Sequence, residues 1–177
     1  MKFIIDFDDV LLHTTKMLKK RIYDCLENAG VEREKALDLY RRVRYPEFSL
    51  RKFIYRLLEE NNLDINKTEE IYEDIMKETP KYINHHLVEE VKKLGKESCI
   101  VVTNGEKEFQ THKLKRSGLY DLFSEIYIVP GSKKDIIFEI CKKYKDEKIV
   151  FTDDKATFFD DLELKSLTNL ETVLYLY

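Results

Sequence analysis

The sequence predicts an α/β fold, a parallel sheet packed between helices and interrupted after its first strand by an all-helical insertion. Three observations predict it. Short runs rich in Ile, Val, Phe and Tyr recur without clean alternation, as strands buried on both faces do. Patterns with apolar residues three or four apart separate the later runs and mark amphipathic helices. The interval 14–80 breaks this rhythm, offering helical periodicities and no strand-like run. A chain of 177 residues, 43% of them hydrophobic, suits one core-forming domain carrying a small insertion better than two independent domains.

The first run, Phe3-Ile4-Ile5, ends at Asp6. Within the insertion, Leu18, Ile22, Cys25 and Leu26 keep one face apolar, as do Phe53, Ile54, Leu57 and Leu58, and then Ile71, Ile75 and Met76. Gly30 and the Tyr45-Pro46 step punctuate these helices. After a helical pattern over Leu87 to Leu94, the second strand runs from Cys99 to Val102 and ends at Thr103. A helix over Lys107 to Arg116 leads to a third strand, Ile126 to Val129, which stops before Pro130. A helix over Lys134 to Tyr144 precedes the fourth, Ile149 to Phe151, which ends at Thr152-Asp153, and Thr172 to Tyr177 supplies a fifth. Alternating strands and helices imply right-handed crossovers and a parallel sheet. Ligands of such sheets bind beyond the carboxyl ends of the strands.

Charge and composition narrow the function. Lys plus Arg number 31 against 34 Asp plus Glu, a net charge of -3, so no basic field recruits nucleic acid or an anionic membrane surface. No apolar stretch approaches the roughly 20 residues of a membrane span, and the N-terminal run has no cleavage-site pattern. A cytoplasmic protein is expected. Cys25, Cys99 and Cys141 are odd in number and far apart, which suits buried reduced thiols rather than a disulfide or zinc site. No His or Cys spacing fits a metal.

The chemistry gathers at four strand ends. Asp6-Phe7-Asp8 follows a buried strand directly, and carboxylates this close cost free energy unless a cation or protons neutralise them. A hard divalent ion such as Mg2+ is the natural partner of oxygen ligands. A nucleophilic carboxylate can form an aspartyl-phosphate, and a second one two residues on can protonate the leaving oxygen and then activate water. Thr103-Asn104-Gly105 opens a helix, where a hydroxyl and unpaired N–H groups make an anion cradle and Gly105 permits close backbone approach. In Gly131-Ser132-Lys133-Lys134, a lysine at a helix N-terminus opposes the dipole, so neutralising phosphate and carboxylate charge is its better explanation. Lys133 is preferred, with Lys134 as the alternative. At the fourth strand end, Asp153 or Asp154 completes the oxygen shell of the metal.

With these motifs the sequence resembles the haloacid dehalogenase superfamily, in its phosphatase branch. Asp6-Phe7-Asp8-Asp9-Val10-Leu11 is similar to the family's first motif, and Val102-Thr103-Asn104-Gly105 to its second. Gln110, Lys113-Leu114 and Gly118-Leu119 before Phe123 resemble the segment that follows. The third motif's lysine falls on Lys133 and the fourth motif's acids on Asp153 and Asp154. The resemblance implies a Rossmann-like three-layer core (1–13 and 81–177) with a small all-helical cap (14–80) inserted after the first motif. It also implies Asp6 as nucleophile, Asp8 as general acid/base with its carbonyl on the metal, and a small phosphorylated metabolite as substrate. Asp8 favours phosphate ester hydrolysis over carbon–halogen cleavage, because dehalogenases typically lack this second aspartate. The chain departs from the family where a further Asp or Asn is common in the fourth motif: Thr157, Phe158 and Phe159 stand there, and the next acids are Asp160 and Asp161.

Two other readings compete. A non-catalytic descendant of the fold would use it for binding or regulation, and the altered fourth motif motivates that alternative. A receiver-type signalling domain would need a phosphoacceptor aspartate between the first acid pair and Thr103, where only Asp24, Asp38, Asp64 and Asp74 lie, all in helical or polar stretches. The Arg41-Arg42-Val43-Arg44 cluster is a candidate to greet an anionic substrate. The apolar faces of the insertion fit packing on the core or on a second subunit, which leaves the oligomeric state open.

Overall fold

Five strands form one wholly parallel sheet in the computed structural model, which describes residues 1–44, 47–160, 162 and 167–176. Their order is β3-β2-β1-β4-β5, with β1 at Lys2–Ile5, β2 at Cys99–Asn104, β3 at Glu125–Val129, β4 at Ile149–Asp153 and β5 at Leu170–Leu174. The first strand is therefore central, and its carboxyl end opens between those of β2 and β4. The fifth strand starts two residues before the run read from the sequence; Tyr177 lies outside the described residues, as do Tyr45-Pro46 and Asp161.

Helices cover both faces, giving three layers. Between β1 and β2 lie α1 (Lys19–Asn28), α2 (Arg33–Val43), α3 (Leu50–Glu60), α4 (Thr68–Met76) and α5 (His85–Leu94). After β2 come α6 (Lys107–Arg116), α7 (Lys134–Lys143) and the single turn α8 (Thr157–Asp160). Alternation along the strands sorts the core into two faces. Ile4, Ile100, Val102, Ile149 and Phe151 pack with Ile137, Ile140 and Cys141 of α7 on one face. Ile5, Cys99 and Val101 pack on the other with Val88, Val91, Phe109 and Leu114, and that cluster continues without a break into the apolar faces of α1 to α4. The stripes read from the sequence do this work, since Leu26, Ile54 and Ile75 are wholly buried. No described helix is long and apolar enough to cross a membrane.

The segment after β1 is pinned as firmly as the sheet. Phe7, Val10, Leu11 and Leu12 are all fully buried, and the Phe7 carbonyl accepts from both Leu11 and Leu12 N–H. The Asn84 side chain ties this segment to the amino end of α5, donating to the Val10 carbonyl (3.0 Å) and the Tyr175 hydroxyl (2.7 Å). Polar residues between these anchors are therefore presented on a fixed backbone.

Candidate active site

Strand parity decides which acids meet. Asp6 continues the face of Ile4, and Asp153 that of Ile149 and Phe151, so both point toward the layer formed by α7. The pairing of Ile5 with Thr152 puts Asp6 and Asp153 side by side one step further, and the Asp6 N–H donates to the Thr152 carbonyl (2.9 Å). Lys133, the residue before α7, enters from that layer. Its ammonium lies 2.8 Å from Asp6 Oδ1 and 2.6 Å from Asp153 Oδ2, and all three side chains are buried. The lysine opposes the dipole of α7, but two carboxylates compensate it. Lys134 is exposed, so the structure places Lys133 and not Lys134 among the acids.

Asp154 joins the pair. Carboxylate oxygens of Asp6, Asp153 and Asp154 lie within 4.8 Å of one another, and the buried Asp154 Oδ1 has no hydrogen-bond partner among the described residues, with Lys155 Nζ 3.8 Å away. An octahedral magnesium ion, with oxygens at about 2.0–2.1 Å, holds its ligands roughly 3–4 Å apart, so slight contraction would close this set around one ion. The donor chemistry fits: all oxygen, with one oxygen that has no hydrogen bond among the described residues. Both Asp153 and Asp154 belong to the group. Burial pushes the Asp6 carboxyl up to about 7, and neighbouring Asp153 and Asp8 add to this against the opposing pull of Lys133. Asp154 is raised chiefly by burial as well, opposed by Lys155. A divalent cation would reverse both shifts.

The Asp8 side chain lies outside this acid group. Its Oδ1 accepts from Lys113 Nζ and Thr14 Oγ1, each at 2.5 Å, and its Oδ2 accepts from Gln110 Nε2 at 2.8 Å. Three donors hold the carboxylate apart from the cluster of Asp6, Asp153 and Asp154. Burial alone would raise its pKa, yet the Lys113 ammonium and the three hydrogen bonds together hold it below the usual carboxylate range. Gln110 and Lys113, both buried, are the residues whose role sequence periodicity missed. They lie three apart on α6 beside Phe109 and Leu114, so the face turned to the core is half polar and the helix looks barely amphipathic.

Thr103, at the end of β2, is fully buried and its hydroxyl has no hydrogen-bond partner among the described residues, as expected of a group that awaits a ligand. Asn104 donates to the Gly131 carbonyl (2.5 Å), linking this loop to the one that carries Lys133. Gly105 has a φ of +141°, and a Cβ there would lie 2.7 Å from Gln110 Nε2. Of Thr157, Phe158 and Phe159, which stand where a further acid is common in the family, Phe158 sets its ring 4.5 Å from Lys133 Nζ, a cation–π contact. Phe159 packs edge-on against Phe151.

The family's sequence profile, described as haloacid dehalogenase-like hydrolase, matches residues 3–160. The chain belongs to the haloacid dehalogenase-like hydrolases. Among solved structures it is similar to a candidate member of that family from Burkholderia xenovorans, with a TM-score of 0.75 at 18% identity over 97% of this chain and 80% of the other. A 2-haloacid dehalogenase from Pseudomonas syringae matches at 0.65 and 18% identity, over 99% and 86%. A candidate beta-phosphoglucomutase from Thermotoga maritima matches at 0.61 and 18%, over 100% and 87%. Identities this low establish the fold, and they span more than one chemistry. No curated protein gives a significant match. As a haloacid dehalogenase-like hydrolase, the chain carries its motif residues at the carboxyl ends of β1, β2 and β4 and at the start of α7.

Proposed function

We propose that the protein is a magnesium-dependent phosphohydrolase that acts on a small phosphorylated metabolite through an aspartyl-phosphate at Asp6. The carrying observation is the buried Lys133 ammonium bridging Asp6 and Asp153, with the half-buried Asp154 completing a cluster of three carboxylates. In this reading Asp6, Asp153, Asp154 and the Asp8 carbonyl hold the ion, which when bound supplies positive charge against the phosphoryl oxygens. The Thr103 hydroxyl, the N–H groups around Asn104 and Gly105, and Lys133 hold those oxygens, and residues 14–80 serve as the cap over them.

The Asp6 carboxylate attacks phosphorus, the ester P–O bond breaks, and Asp8 gives a proton to the leaving oxygen. Water, losing its proton to Asp8, then attacks the phosphorus of the acyl phosphate, releasing phosphate and restoring Asp6. The Lys113 contact keeps Asp8 in the carboxylate form that the second step uses as base. The first step needs the protonated form, and therefore Asp8 parted from Lys113. A second aspartate, absent from typical dehalogenases, supports ester hydrolysis over carbon–halogen cleavage. Purified protein with magnesium is expected to hydrolyse an aryl phosphate and Asp6→Asn to lose at least about a thousandfold in kcat, the scale of a removed nucleophile; equal turnover by the variant would remove Asp6 from this role. The alternative, a non-catalytic binding protein, predicts no turnover by either form.

A further inference from the structure

A cleft of about 350 Å³ opens between the helical insertion and the loops that follow β1 and β2. Asp8, Asn104 and Gly105 line it at the mouth of the acid group, whereas Asp6, Thr103, Lys133 and Asp153 do not. If Asp8 serves the leaving oxygen, the cleft runs from the phosphoryl cradle of Asn104 and Gly105 outward and holds the alcohol part of the substrate. The helical insertion contributes Lys19, Tyr40 and Arg44 to the lining of the cleft.

Lys19 is unlike the other cations there. Lys113 is paired with Asp8 at 2.5 Å, and Lys155 Nζ lies 3.8 Å from Asp154. Arg44, the remaining cation of the lining, has an interaction of its own. Lys19 is half-buried, and no described carboxylate lies within 4.0 Å of its ammonium. The ammonium sits 4.2 Å from the centroid of the Tyr40 ring. Asp9, the acid that acts on it from further off, has both oxygens engaged by Thr15. Burial and the like charge of Arg44 both disfavour the charged lysine, and an arriving anion would offset both. Phe48, Phe53 and Phe109 give the same cleft an apolar side.

We infer that Lys19 binds a second anionic group, a carboxylate or a phosphate, on the alcohol part of the substrate. The inference rests on the phosphohydrolase reading above for its substrate and deepens it. The substrate class is thus a phosphate monoester with a second negative charge at the far end of a short apolar body, and Lys19 is a specificity-determining residue of the cleft.

The test is calorimetric binding to the full-length Asp6→Asn protein in magnesium buffer, so that turnover does not interfere. The probes are n-alkyl phosphates from propyl to hexyl, the phosphooxy carboxylates of matching length, and the matching alkanediol bisphosphates. At the length that reaches Lys19, an anionic member is expected to bind about tenfold more tightly than its neutral counterpart, the order of one charge-assisted hydrogen bond. The arm that gains more, carboxylate or bisphosphate, names the anion. Adding Lys19→Gln should cut the advantage to within about twofold, while Lys19→Arg, which keeps the charge, should retain it. Equal binding at every length, no binding by the anionic probes, or an advantage that survives Lys19→Gln overturns the inference. Turnover by the unmutated protein is scored separately: its absence counts against the phosphohydrolase, and flat binding counts against Lys19.

Discussion

Lys133 shows how one residue sets the state of the whole site. It brings a single positive charge to two carboxylates that are wholly buried, and removing it leaves those charges uncompensated. Breaking a buried pair of this kind costs about 3–5 kcal/mol. Lys133→Met, measured by urea unfolding in chelator, should show a loss of that order, and magnesium should restore more stability to the variant than to the parent protein because the ion takes over the neutralising role. A variant as stable as the parent in chelator would mean that the acids do not depend on this lysine. The residue was legible in the sequence because a lysine at a helix start lacks a local reason to be there. Phe158 beneath it was not, since an aromatic ring against an ammonium leaves no periodic trace.

Among the elements, α6 joins the site to the scaffold. Its first turn is capped by the Glu106 side chain, which accepts from the Phe109 N–H at 2.7 Å, and its inner face carries Gln110 and Lys113 to Asp8. Gly105 is what allows β2 to pass into this helix so closely. Gly105→Ala should cost about 1–3 kcal/mol from the strained φ alone and should push the Gln110 amide off Asp8, seen as a drop in both thermal midpoint and kcat; an Ala variant with unchanged stability and activity would contradict the packing described here. The strands were legible as apolar runs ending in polar residues, and parity alone pairs Asp6 with Asp153. The inward face of α6 was not, because Gln and Lys on a helix ordinarily read as a solvated surface, and only the tertiary position of Asp8 turns them inward. Spacing puts Asp8 near Asp6 in sequence, and three donors fix where its side chain points.

At the scale of the molecule, burial of Asp6 ties stability to pH. Its folded pKa of about 7 stands above the ordinary carboxyl value of 3.8, so between the two the folded state binds more protons than the unfolded one. Stability in chelator should therefore fall as pH rises through that window. The corresponding Asp6→Asn variant should lack this component, and thermal melts at several pH values would show the difference; parallel curves for the two proteins would contradict the raised pKa. Magnesium should flatten the slope of the parent, since the ion favours the ionised acid. The alternation of strands and helices predicted a parallel sheet, and its observed order β3-β2-β1-β4-β5 brings together acids nearly 150 residues apart in the chain. The cleft facing the insertion did not follow, since it depends on which side chains of α1, α2 and α3 turn toward Asp8.

The central claim is that these distant acids share one divalent cation. Calorimetric titration of the metal-free protein with magnesium, with folding verified by circular dichroism, tests it most directly. The account predicts one ion bound per chain and its loss in Asp153→Ala. Folded protein that takes up no magnesium, or an Asp153→Ala variant that binds it as tightly as the parent, would contradict it.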